Sequence, residues 1–537
     1  MKYIFVSGGV ISGLGKGIAT SSIALLLKSA GYRVTPLKID PYLNVDAGTM
    51  NPIEHGEVFV LDDGSETDQD LGHYERFLTE SLNSASFTTS GQVYLSVIQR
   101  ERSLEYEGAC VEAVPHIPEE IIRRINEAGR SNRADVVIIE IGGTVGELQN
   151  MFIFEANRLL KLKRPEDVIH VHLSYLPVPS SLGEMKSKPA QMSIKELNSL
   201  GIQPDILLAR SSQALDSSRR KKLSLFGSLE MEDIISAPDV PSIYDVPLLY
   251  AEQNLTERIL KKLGLKRQQN DLKDWKKFVD KMNFAKKVVK IGIVGKYFTT
   301  GDFTLSDSYI SVIEAIKHAS YAQGLKPEIT WIDAGKLQEK PEQLEKFDGV
   351  IVPGGFGERD IEGKIAAIKY VRENNIPYLG LCYGMQLALV EIARNVLGYK
   401  DAHTTEISQK TKYPIIHIMP DQEKKLLERN YGGTMRLGAW ECVLKQGTAI
   451  RKLYGKDKIW ERHRHRYEVN NAYVKDLEKA GVVFSGTSQD GKIMEIMELP
   501  SHPYFTGSQF HPELKSRPLD PHPMFLGFIS AAAKQQT

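Results

Sequence analysis

The chain is poor in cysteine: its 537 residues include only Cys110, Cys382 and Cys442, and no two of them form a CxxC pair. This pattern argues against a disulfide framework and against a cysteine-rich zinc site, and it is typical of a reducing compartment. The apolar run in residues 1–6 is too short for a signal peptide, and no segment has the apolar length needed to span a bilayer. We therefore expect a cytoplasmic globular protein without a membrane partner.

The chain also lacks an excess of either charge, since 68 lysines and arginines balance 68 aspartates and glutamates. Binding to nucleic acid or to a membrane surface usually requires a net basic charge. Such partners are therefore not expected. Small phosphorylated ligands fit the composition better.

Buried-strand runs alternate with helical patterns through most of the chain. Residues 3–6 and 134–141 are such strands, and a fresh strand begins at residues 288–295. Alternation of this kind predicts parallel sheets covered by helices on both faces. A Lys-rich stretch with an apolar helical stripe separates the two series. The sequence therefore predicts an α/β protein with two doubly wound domains, 1–265 and 288–537, joined by a helical linker, 266–287.

Cys382 stands between Gly380 and Gly384, after a short apolar run and before a helical pattern. This is the pattern of a nucleophile held on a strained turn between a strand and a helix. A buried structural thiol is the more common fate of a free cysteine. The nucleophile is favoured here because His511 and Glu513 follow as a base and an orienting acid, two residues apart.

The segment 7–17 is rich in glycine and lies where a phosphate loop belongs, after the first strand and before the first helix. Lys16 supplies a cation there, and Lys38 ends the second strand at the same sheet edge. The loop is not a regular Walker A sequence, because Gly17 stands where Ser or Thr is expected. Its position in the pattern nevertheless predicts an ATP site.

Carboxylates crowd the segment 62–70, and Glu140 lies near the end of a buried strand. Such acids either face water separately, or some of them hold Mg²⁺ against a nucleoside triphosphate. Because Lys16 and Lys38 are predicted nearby, we favour Asp70 and Glu140 as metal ligands.

Several longer motifs are specific enough to indicate a family. They are Ser12–Gly17, Lys38–Asp46, Asp70–Phe77, Gly142–Gly146, Gly432–Gly438 and Arg462–Asn471. Over nearly its whole length the chain resembles the CTP synthases, glutamine-dependent enzymes that aminate UTP. The resemblance implies a dethiobiotin-synthetase-like phosphate-loop domain followed by a class I glutamine amidotransferase domain of flavodoxin-like fold.

The resemblance also implies the chemistry. ATP would phosphorylate O4 of UTP, with Lys16 and Lys38 as catalytic cations and Mg²⁺ on Asp70 and Glu140. Cys382 would form a glutamyl thioester and release ammonia, with His511 moving protons and Glu513 orienting it. The ammonia would travel to the pyrimidine by an enclosed route.

The binding residues that the resemblance implies form three sets. For ATP they are Gly13, Leu14, Gly15, Lys16, Gly17, Ile18, Asp70, Asp239 and Val240. For UTP or CTP they are Ser12, Glu147, Leu148, Gln149, Lys186, Ser187, Lys188, Pro189, Ala190, Gln191 and Lys222. For L-glutamine they are Gly355, Tyr383, Gly384, Met385, Gln386, Glu406 and Arg466. The rest of the basic run 462–466 is expected to be a solvated face.

Regulation and assembly are implied as well. GTP would activate through a lid at Gly432–Gly438, CTP would inhibit by feedback, and the chain would form a homotetramer, a dimer of dimers; filament formation stays open. Two departures from the family, Ala190 in place of Thr and Gln149 in place of an acid, weaken the expectation of CTP inhibition.

Two other interpretations remain. An amidotransferase acting on tetrapyrrole carboxylates would share the domain order, but Lys186–Gln191 and Gly142–Gly146 disfavour it. An ATP-dependent switch or filament scaffold with an inactive glutaminase domain would tolerate loss of Cys382, His511 or Glu513, and all three are present.

Overall fold

A computed structural model gives the structure of the chain. It describes residues 1–51, 55–181, 183–269, 271–295, 308–355, 360–419, 422 and 433–535, and the backbone alone for 299–300, 303–304 and 306–307. Among these residues, every helix is too short or too polar to cross a bilayer.

Strands and helices alternate along the described part of the chain. The strands are β1 (Lys2–Gly9), β2 (Val34–Asp40), β3 (Phe59–Val60), β4 (Glu66–Thr67), β5 (Phe87–Thr89), β6 (Val136–Ile141), β7 (Val168–Tyr175), β8 (Ile206–Ser211), β9 (Ile234–Pro238), β10 (Lys287–Gly295), β11 (Thr299–Thr300), β12 (Phe303–Thr304), β13 (Leu325–Asp333), β14 (Gly349–Val352), β15 (Tyr378–Leu381), β16 (Ala402–Thr404), β17 (Tyr413–Ile418), β18 (Arg436–Leu444), β19 (Lys458–His465), β20 (Tyr467–Val469), β21 (Val483–Thr487), β22 (Met494–Glu498) and β23 (Phe505–Ser508). The helices are α1 (Lys16–Ser29), α2 (Asp70–Leu78), α3 (Ser90–Arg102), α4 (Ala113–Ser131), α5 (Met151–Lys163), α6 (Lys188–Ser199), α7 (Ser217–Gly227), α8 (Val246–Glu252), α9 (Leu255–Lys262), α10 (Lys273–Phe284), α11 (Ile310–Ala322), α12 (Ala334–Leu337), α13 (Ile361–Glu373), α14 (Tyr383–Asn395), α15 (Ala449–Tyr454), α16 (Val474–Lys479) and α17 (Pro523–Lys534).

Two units are formed by four segments of the chain. The first unit contains Met1–Val45 and Asp70–Val279, and the second contains Asp46–Gln69 and Asp280–Thr537. The core of the first unit is a seven-stranded sheet in the order β5-β2-β6-β1-β7-β8-β9, with all its strands parallel. Central strands of such a sheet are covered on both faces, which explains why β6 is buried along its whole length.

The second unit is built on a nine-stranded sheet in the order β13-β10-β14-β15-β23-β22-β21-β18-β19. Its first five strands are parallel. Numbered along the chain, these five strands follow the order 2-1-3-4-5, which is that of the flavodoxin-like fold. The predicted fold class, two doubly wound α/β domains of these types, is confirmed.

Helix α10 carries the apolar stripe of the expected linker, and its first part belongs to the first unit. The side chain of Trp275 is 2% exposed, and its indole N–H donates to the backbone oxygen of Tyr244 at 3.0 Å. The ring of Phe77 packs against Trp275 with 5.1 Å between centroids. The linker helix is therefore anchored by one large aromatic side chain.

The segment Asp46–Gln69, which the sequence places in the first domain, packs with the second unit instead. Two ion pairs explain this. Arg462 binds Asp62 at 2.6 Å, and Arg464 binds Glu66 at 2.8 Å. Arg462 is fully buried, so the expectation of a solvated basic face at these arginines is wrong, because both have carboxylate partners far away in sequence. The expected domain boundaries otherwise stay a prediction.

We expect Trp275→Ala to lower the free energy of unfolding by about 3–5 kcal/mol, because it removes a buried indole together with its hydrogen bond. Denaturant titration followed by circular dichroism would measure the change. Trp460→Ala is the matched control, since Trp460 is 52% exposed. Equal effects of the two substitutions would contradict the anchoring role of Trp275.

Candidate functional sites: a thiol turn and a buried charge cluster

Cys382 follows β15 and precedes α14 with a strained backbone, φ 48° and ψ −98°. The flanking glycines make this turn sterically possible. An ideal Cβ on Gly384 would lie 2.1 Å from the carbonyl oxygen of Val352, and one on Gly380 would lie 2.7 Å from the hydroxyl of Tyr378. The turn thus places the thiol at the N-terminus of α14.

A second strand brings a histidine to the same place. β23 runs parallel to β15, and the backbone N–H of Cys382 donates to the oxygen of Ser508 at 2.7 Å. His511 lies three residues beyond Ser508, and its Nδ1 is 2.7 Å from Oε1 of Glu513. The chain therefore assembles the predicted thiol, imidazole and carboxylate.

His511 and Cys382 both border Gly354. An ideal Cβ on Gly354 would lie 2.9 Å from Cε1 of His511 and 3.7 Å from Cβ of Cys382. Burial alone would lower the pKa of His511, but Glu513 and Cys382 raise it to about 10. Within the described residues, Nε2 of His511 makes no hydrogen bond. The site thus holds a thiol beside a histidine that can carry and give up a proton.

Gln509, which was not among the predicted site residues, borders the thiol and contacts the predicted Gln386. Nε2 of Gln509 donates to Sγ of Cys382 at 3.6 Å and Nε2 of Gln386 lies 3.3 Å from Oε1 of Gln509. Gln509 was overlooked as a site residue because only its place beside His511 in the chain pointed to it. Sequence alone cannot show that its side chain turns toward the sulfur.

The predicted glutamine-binding residues lie around this turn. Tyr383, Gly384, Met385 and Gln386 form the buried first turn of α14. Burial raises the pKa of Tyr383, and the charge of Glu406 raises it further, so Glu406 lies near the turn. Their roles stay predictions.

Arg466 lies beside the expected lid. Its guanidinium donates to Oε1 of Gln422 at 2.7 Å and to Oγ1 of Thr434 at 3.0 Å. Of the predicted lid, Gly432 lies outside the described residues, whereas residues 433–438 lead into β18. Through Thr434 the guanidinium of Arg466 thus contacts the expected lid.

In the first unit, Lys38 is the centre of a buried charge cluster. Its ammonium contacts the carboxylate of Asp70, lies 3.1 Å from Oε1 of Glu140 and lies 3.6 Å from Oδ1 of Asp40. The hydroxyl of Tyr74 donates to Oε2 of Glu140 at 2.5 Å. The sequence predicted Lys38, Asp70 and Glu140 here, and it missed Tyr74.

The pKa shifts follow from this geometry. Burial and then the charge of Asp70 raise the pKa of Glu140. Burial would also raise the pKa of Asp70, but Lys38 and then His73 lower it below the ordinary range. Burial lowers the pKa of Lys16. The cluster therefore holds two carboxylates that would repel each other without the ammonium of Lys38 between them.

The phosphate loop is tied to this cluster. Nζ of Lys16 donates to the backbone oxygen of Gly143 at 2.8 Å. An ideal Cβ on Gly17 would lie 2.0 Å from Oδ1 of Asp70. This explains the departure from a Walker A sequence, because the carboxylate of Asp70 occupies the space that a Ser or Thr side chain would need.

Mg²⁺ would meet two carboxylates in this cluster, those of Asp70 and Glu140. Among the described residues, no group of three or more His, Cys, Asp or Glu side chains is placed to hold a metal. Mg²⁺ usually takes only one or two protein carboxylates and completes its shell with phosphates and water. Asp70 and Glu140, which meet at Lys38, satisfy that requirement.

A cavity of about 200 Å³ adjoins the phosphate loop. Its lining includes the predicted residues Gly13, Leu14, Gly15, Ile18 and Val240, and it also includes Arg210 and Tyr250. Arg210 pairs with Asp239 at 2.5 Å. The structure thus brings most of the predicted ATP residues together, and Arg210 is an addition that no sequence motif indicated.

The predicted uridine residues, in contrast, lie mostly at the surface. Ser187 precedes α6, and its hydroxyl accepts from Nε2 of Gln191 at 3.1 Å. Nε2 of Gln149 donates to Glu147 at 2.9 Å. Several residues of the set are exposed. They are Ser12, Leu148, Gln149, Lys188 and Lys222.

Comparisons with known proteins match both halves of the chain. A family model described as "CTP synthase N-terminus" matches residues 2–265, and one described as "Glutamine amidotransferase class-I" matches residues 304–531. The CTP synthase of Thermococcus gammatolerans is 52% identical over 538 residues, 100% of this chain and 99% of that protein. The CTP synthase of Sulfolobus acidocaldarius is 49% identical over 535 residues, 99% of each chain.

Solved structures give a further similarity. The glutaminase domain of Trypanosoma brucei CTPS, with bound acivicin, is 38% identical with a TM-score of 0.42, covering 46% of this chain and 94% of that one.

The fold and the sites together define a glutamine amidotransferase domain joined to a phosphate-loop domain, the organisation of a glutamine-dependent ligase. The chain belongs to the CTP synthase family. It is an enzyme of pyrimidine biosynthesis with CTP synthase activity, and the alternatives of a tetrapyrrole amidotransferase and of a non-catalytic scaffold are set aside.

Glu513→Gln should lower the pKa of His511 from its value of about 10, because it removes the orienting negative charge. Because this pKa is raised on folding, protonated His511 contributes to the stability of the folded state. The contribution is complete at pH values below the ordinary histidine pKa of about 6.5 and is lost as the pH rises toward 10. NMR titration of labelled histidine would measure the shift. Glu478→Gln, at an exposed glutamate of the same unit, is the control. An unchanged titration of His511 in Glu513→Gln would contradict the assignment.

Proposed function

We propose that this CTP synthase works in two stages, one in each unit. In the first, ATP transfers its γ-phosphoryl group to O4 of UTP. In the second, glutamine is hydrolysed and its ammonia replaces that phosphate at C4. The observation that carries the proposal is that each unit contains its own buried reactive cluster, Lys38 with Asp70 and Glu140 in one and Cys382 with His511 and Glu513 in the other.

The phosphoryl stage depends on charge. Lys16 leads the first helix beside the loop glycines, and Lys38 is buried among carboxylates. Two cations at this point would offset the charge that spreads over the phosphoryl oxygens during transfer. Mg²⁺, when bound, would neutralise phosphate charge between the nucleotide and the carboxylates of Asp70 and Glu140. The adenine would enter the cavity lined by Val240, with Asp239 and Arg210 at its edge.

The glutaminase stage is covalent. The thiol of Cys382 gives its proton to Nε2 of His511 as the sulfur attacks the amide carbon of glutamine. His511 passes this proton to the leaving nitrogen, so that ammonia departs and a glutamyl thioester remains. Water then attacks the thioester while His511 takes a proton, which releases glutamate and restores the thiol. Backbone N–H groups of Gly355 and Tyr383 would bind the oxyanion. Glu406 and Arg466 would hold the amino and carboxylate groups of glutamine.

The site for UTP or CTP would lie at the surface of the first unit. Lys186, Lys188, Gln191 and Lys222 would bind the triphosphate of UTP or CTP. Large apolar side chains are exposed close to these residues in the chain. They are Leu148 at 84%, Met151 at 45%, Met192 at 54%, Leu225 at 78% and Phe226 at 62%. Exposed apolar side chains on these elements support a homotetramer in which a neighbouring subunit completes the uridine site.

Regulation belongs to the same proposal. GTP would activate the enzyme through the segment 432–438, which adjoins Arg466 by way of Thr434. CTP would inhibit by occupying the uridine site. Gln149 donates to Glu147 rather than offering a second carboxylate, so inhibition by CTP is expected to be weaker than with an acid at this position.

Cys382→Ala should lose glutamine-dependent CTP formation by several orders of magnitude, because the nucleophile is removed. Formation of CTP from added ammonium at raised pH should persist, because the phosphoryl stage does not use the thiol. The change in absorbance as UTP becomes CTP measures both activities. Cys110→Ala, at an exposed cysteine, is the control and should retain both. Loss of both activities in folded Cys382→Ala would reject the two-stage scheme.

Lys16→Ala and Asp70→Asn should each abolish CTP formation with either nitrogen source, because phosphoryl transfer precedes the attack of ammonia. Glutamine hydrolysis should persist in part. Asp274→Asn, at an aspartate whose side chain is 73% exposed, should behave as the parent enzyme. Near-normal ammonia-dependent activity in Asp70→Asn would show that Asp70 does not bind the metal.

A further inference from the structure

A continuous chain of buried hydrogen bonds crosses the first unit below the phosphate loop. It contains Asn157 of α5, His170 and His172 of β7, Ser7 of β1 and Ser193 of α6, and none of these residues is more than 6% exposed. Nδ2 of Asn157 lies 2.6 Å from Nδ1 of His170, and Oγ of Ser7 lies 2.7 Å from Nε2 of His170.

The second half of this hydrogen-bond chain leads from Ser7 to helix α6. Oγ of Ser7 is 2.8 Å from Nδ1 of His172, and Nε2 of His172 is 2.6 Å from Oγ of Ser193. Ser7 and His172 are direct neighbours in the pairing of β1 with β7. Four hydrogen bonds thus connect the interior of the sheet with α6.

The direction of these bonds follows from the chemistry of the groups. The amide nitrogen of Asn157 can only donate, so Nδ1 of His170 accepts and its Nε2 carries the proton. Oγ of Ser7 accepts a hydrogen bond from that Nε2–H, and the Ser7 hydroxyl donates to Nδ1 of His172. The Nε2–H of His172 in turn donates to Oγ of Ser193. Both imidazoles must be neutral for this order.

Their surroundings favour the neutral form. Burial lowers the pKa of His172 to about 3, with a contribution from Lys16, and burial together with His172 lowers that of His170 well below its ordinary value. The chain therefore keeps a single direction of donors throughout the working pH range. Hydrogen bonds of this kind hold distances and orientations that an apolar contact leaves free.

The Ser193 end of this hydrogen-bond chain lies against the start of the phosphate loop. An ideal Cβ on Gly9, the last residue of β1, would lie 1.7 Å from Oγ of Ser193 and 3.1 Å from Nε2 of His172. The neighbouring Gly8 accepts from the backbone N–H of Val145 at 2.8 Å. Ser193 therefore packs directly on the backbone from which the phosphate loop departs.

We infer that the buried chain from Asn157 to Ser193 is a positioning device that holds helix α6, and with it the uridine-binding segment at its start, in register with the phosphate loop. This inference rests on the proposed function of Lys186–Gln191. Ser193 and His172 are positioning residues, since neither is placed to touch the reacting groups. They would act by fixing the distance between O4 of the bound UTP and the phosphoryl donor.

Ser193→Ala removes the last acceptor and leaves the Nε2–H of His172 unpaired. The UTP concentration for half-maximal ammonia-dependent activity should rise about five-fold, as expected for one hydrogen bond. The KM for glutamine in hydrolysis should stay unchanged, because the glutaminase site lies in the second unit. Ser193→Thr, which restores a hydroxyl, should recover the parental UTP dependence. Ser199→Ala is the matched control, because the hydroxyl of this exposed serine of the same helix donates to the backbone oxygen of Glu196 in its own last turn.

Ser7, the member of the hydrogen-bond chain that lies on strand β1, gives a second test. Ser7→Ala should raise the UTP requirement similarly, and the double variant with Ser193→Ala should be no worse than the more affected single variant, because both substitutions break one chain. Independent, multiplying effects would overturn the inference. So would an unchanged UTP requirement in Ser193→Ala, or equal changes in Ser199→Ala.

A measurement on the parent enzyme covers the case in which the variants do not fold. Nitrogen-15 NMR of labelled histidine should show two neutral imidazoles with protonated Nε2 that do not titrate between pH 5.5 and 8.5. Titration of both near pH 6.5 would overturn the inference. If the parent enzyme failed to convert UTP at all, the proposed function would fail first. If it converts UTP and Ser193→Ala matches it, only the positioning role fails.

Discussion

The buried ammonium of Lys38 is the interaction on which the reactive end of the first unit depends. Two carboxylates, Asp70 and Glu140, could not remain ionised and buried side by side without a cation between them. Their arrangement also dictates a glycine at position 17, because Asp70 fills the space beside it. The glycine at position 17 of the phosphate loop and the acidic cluster therefore depend on each other.

The second unit obtains its site from strand order rather than from charge. The carboxyl ends of β14, β15 and β23 lie side by side, and the residues that follow them are Gly354, Cys382 and His511. Strands distant in sequence thus deliver a glycine, a thiol and an imidazole to one sheet edge, as is usual in doubly wound folds. Glu513 then needs only to follow His511 by two residues to orient it.

Prediction from sequence succeeded where local pattern and chemistry coincide. The strand before the phosphate loop, the elbow at Cys382 and the pair His511 and Glu513 all have short-range signals. It was wrong for Arg462 and Arg464, which looked like a solvated basic run and are paired with Asp62 and Glu66 about 400 residues earlier in the chain. Tyr74, Arg210 and Gln509 were missed for a related reason. Each is an ordinary residue whose role depends on a neighbour brought close by folding.

The amino-acid sequence by itself determined the α/β fold class, the turn that presents the thiol of Cys382, the lysines near the glycine-rich loop and the family. These depend on periodicity, glycine spacing and residue types within short windows, and such information is local. Only the tertiary structure decided that residues 46–69 pack with the second unit, that Asp70 excludes a side chain at Gly17, and that Ser7, His172 and Ser193 form one hydrogen-bond chain. The physical reason is that a buried polar group must find its partner through space, and sequence distance places no limit on where that partner lies.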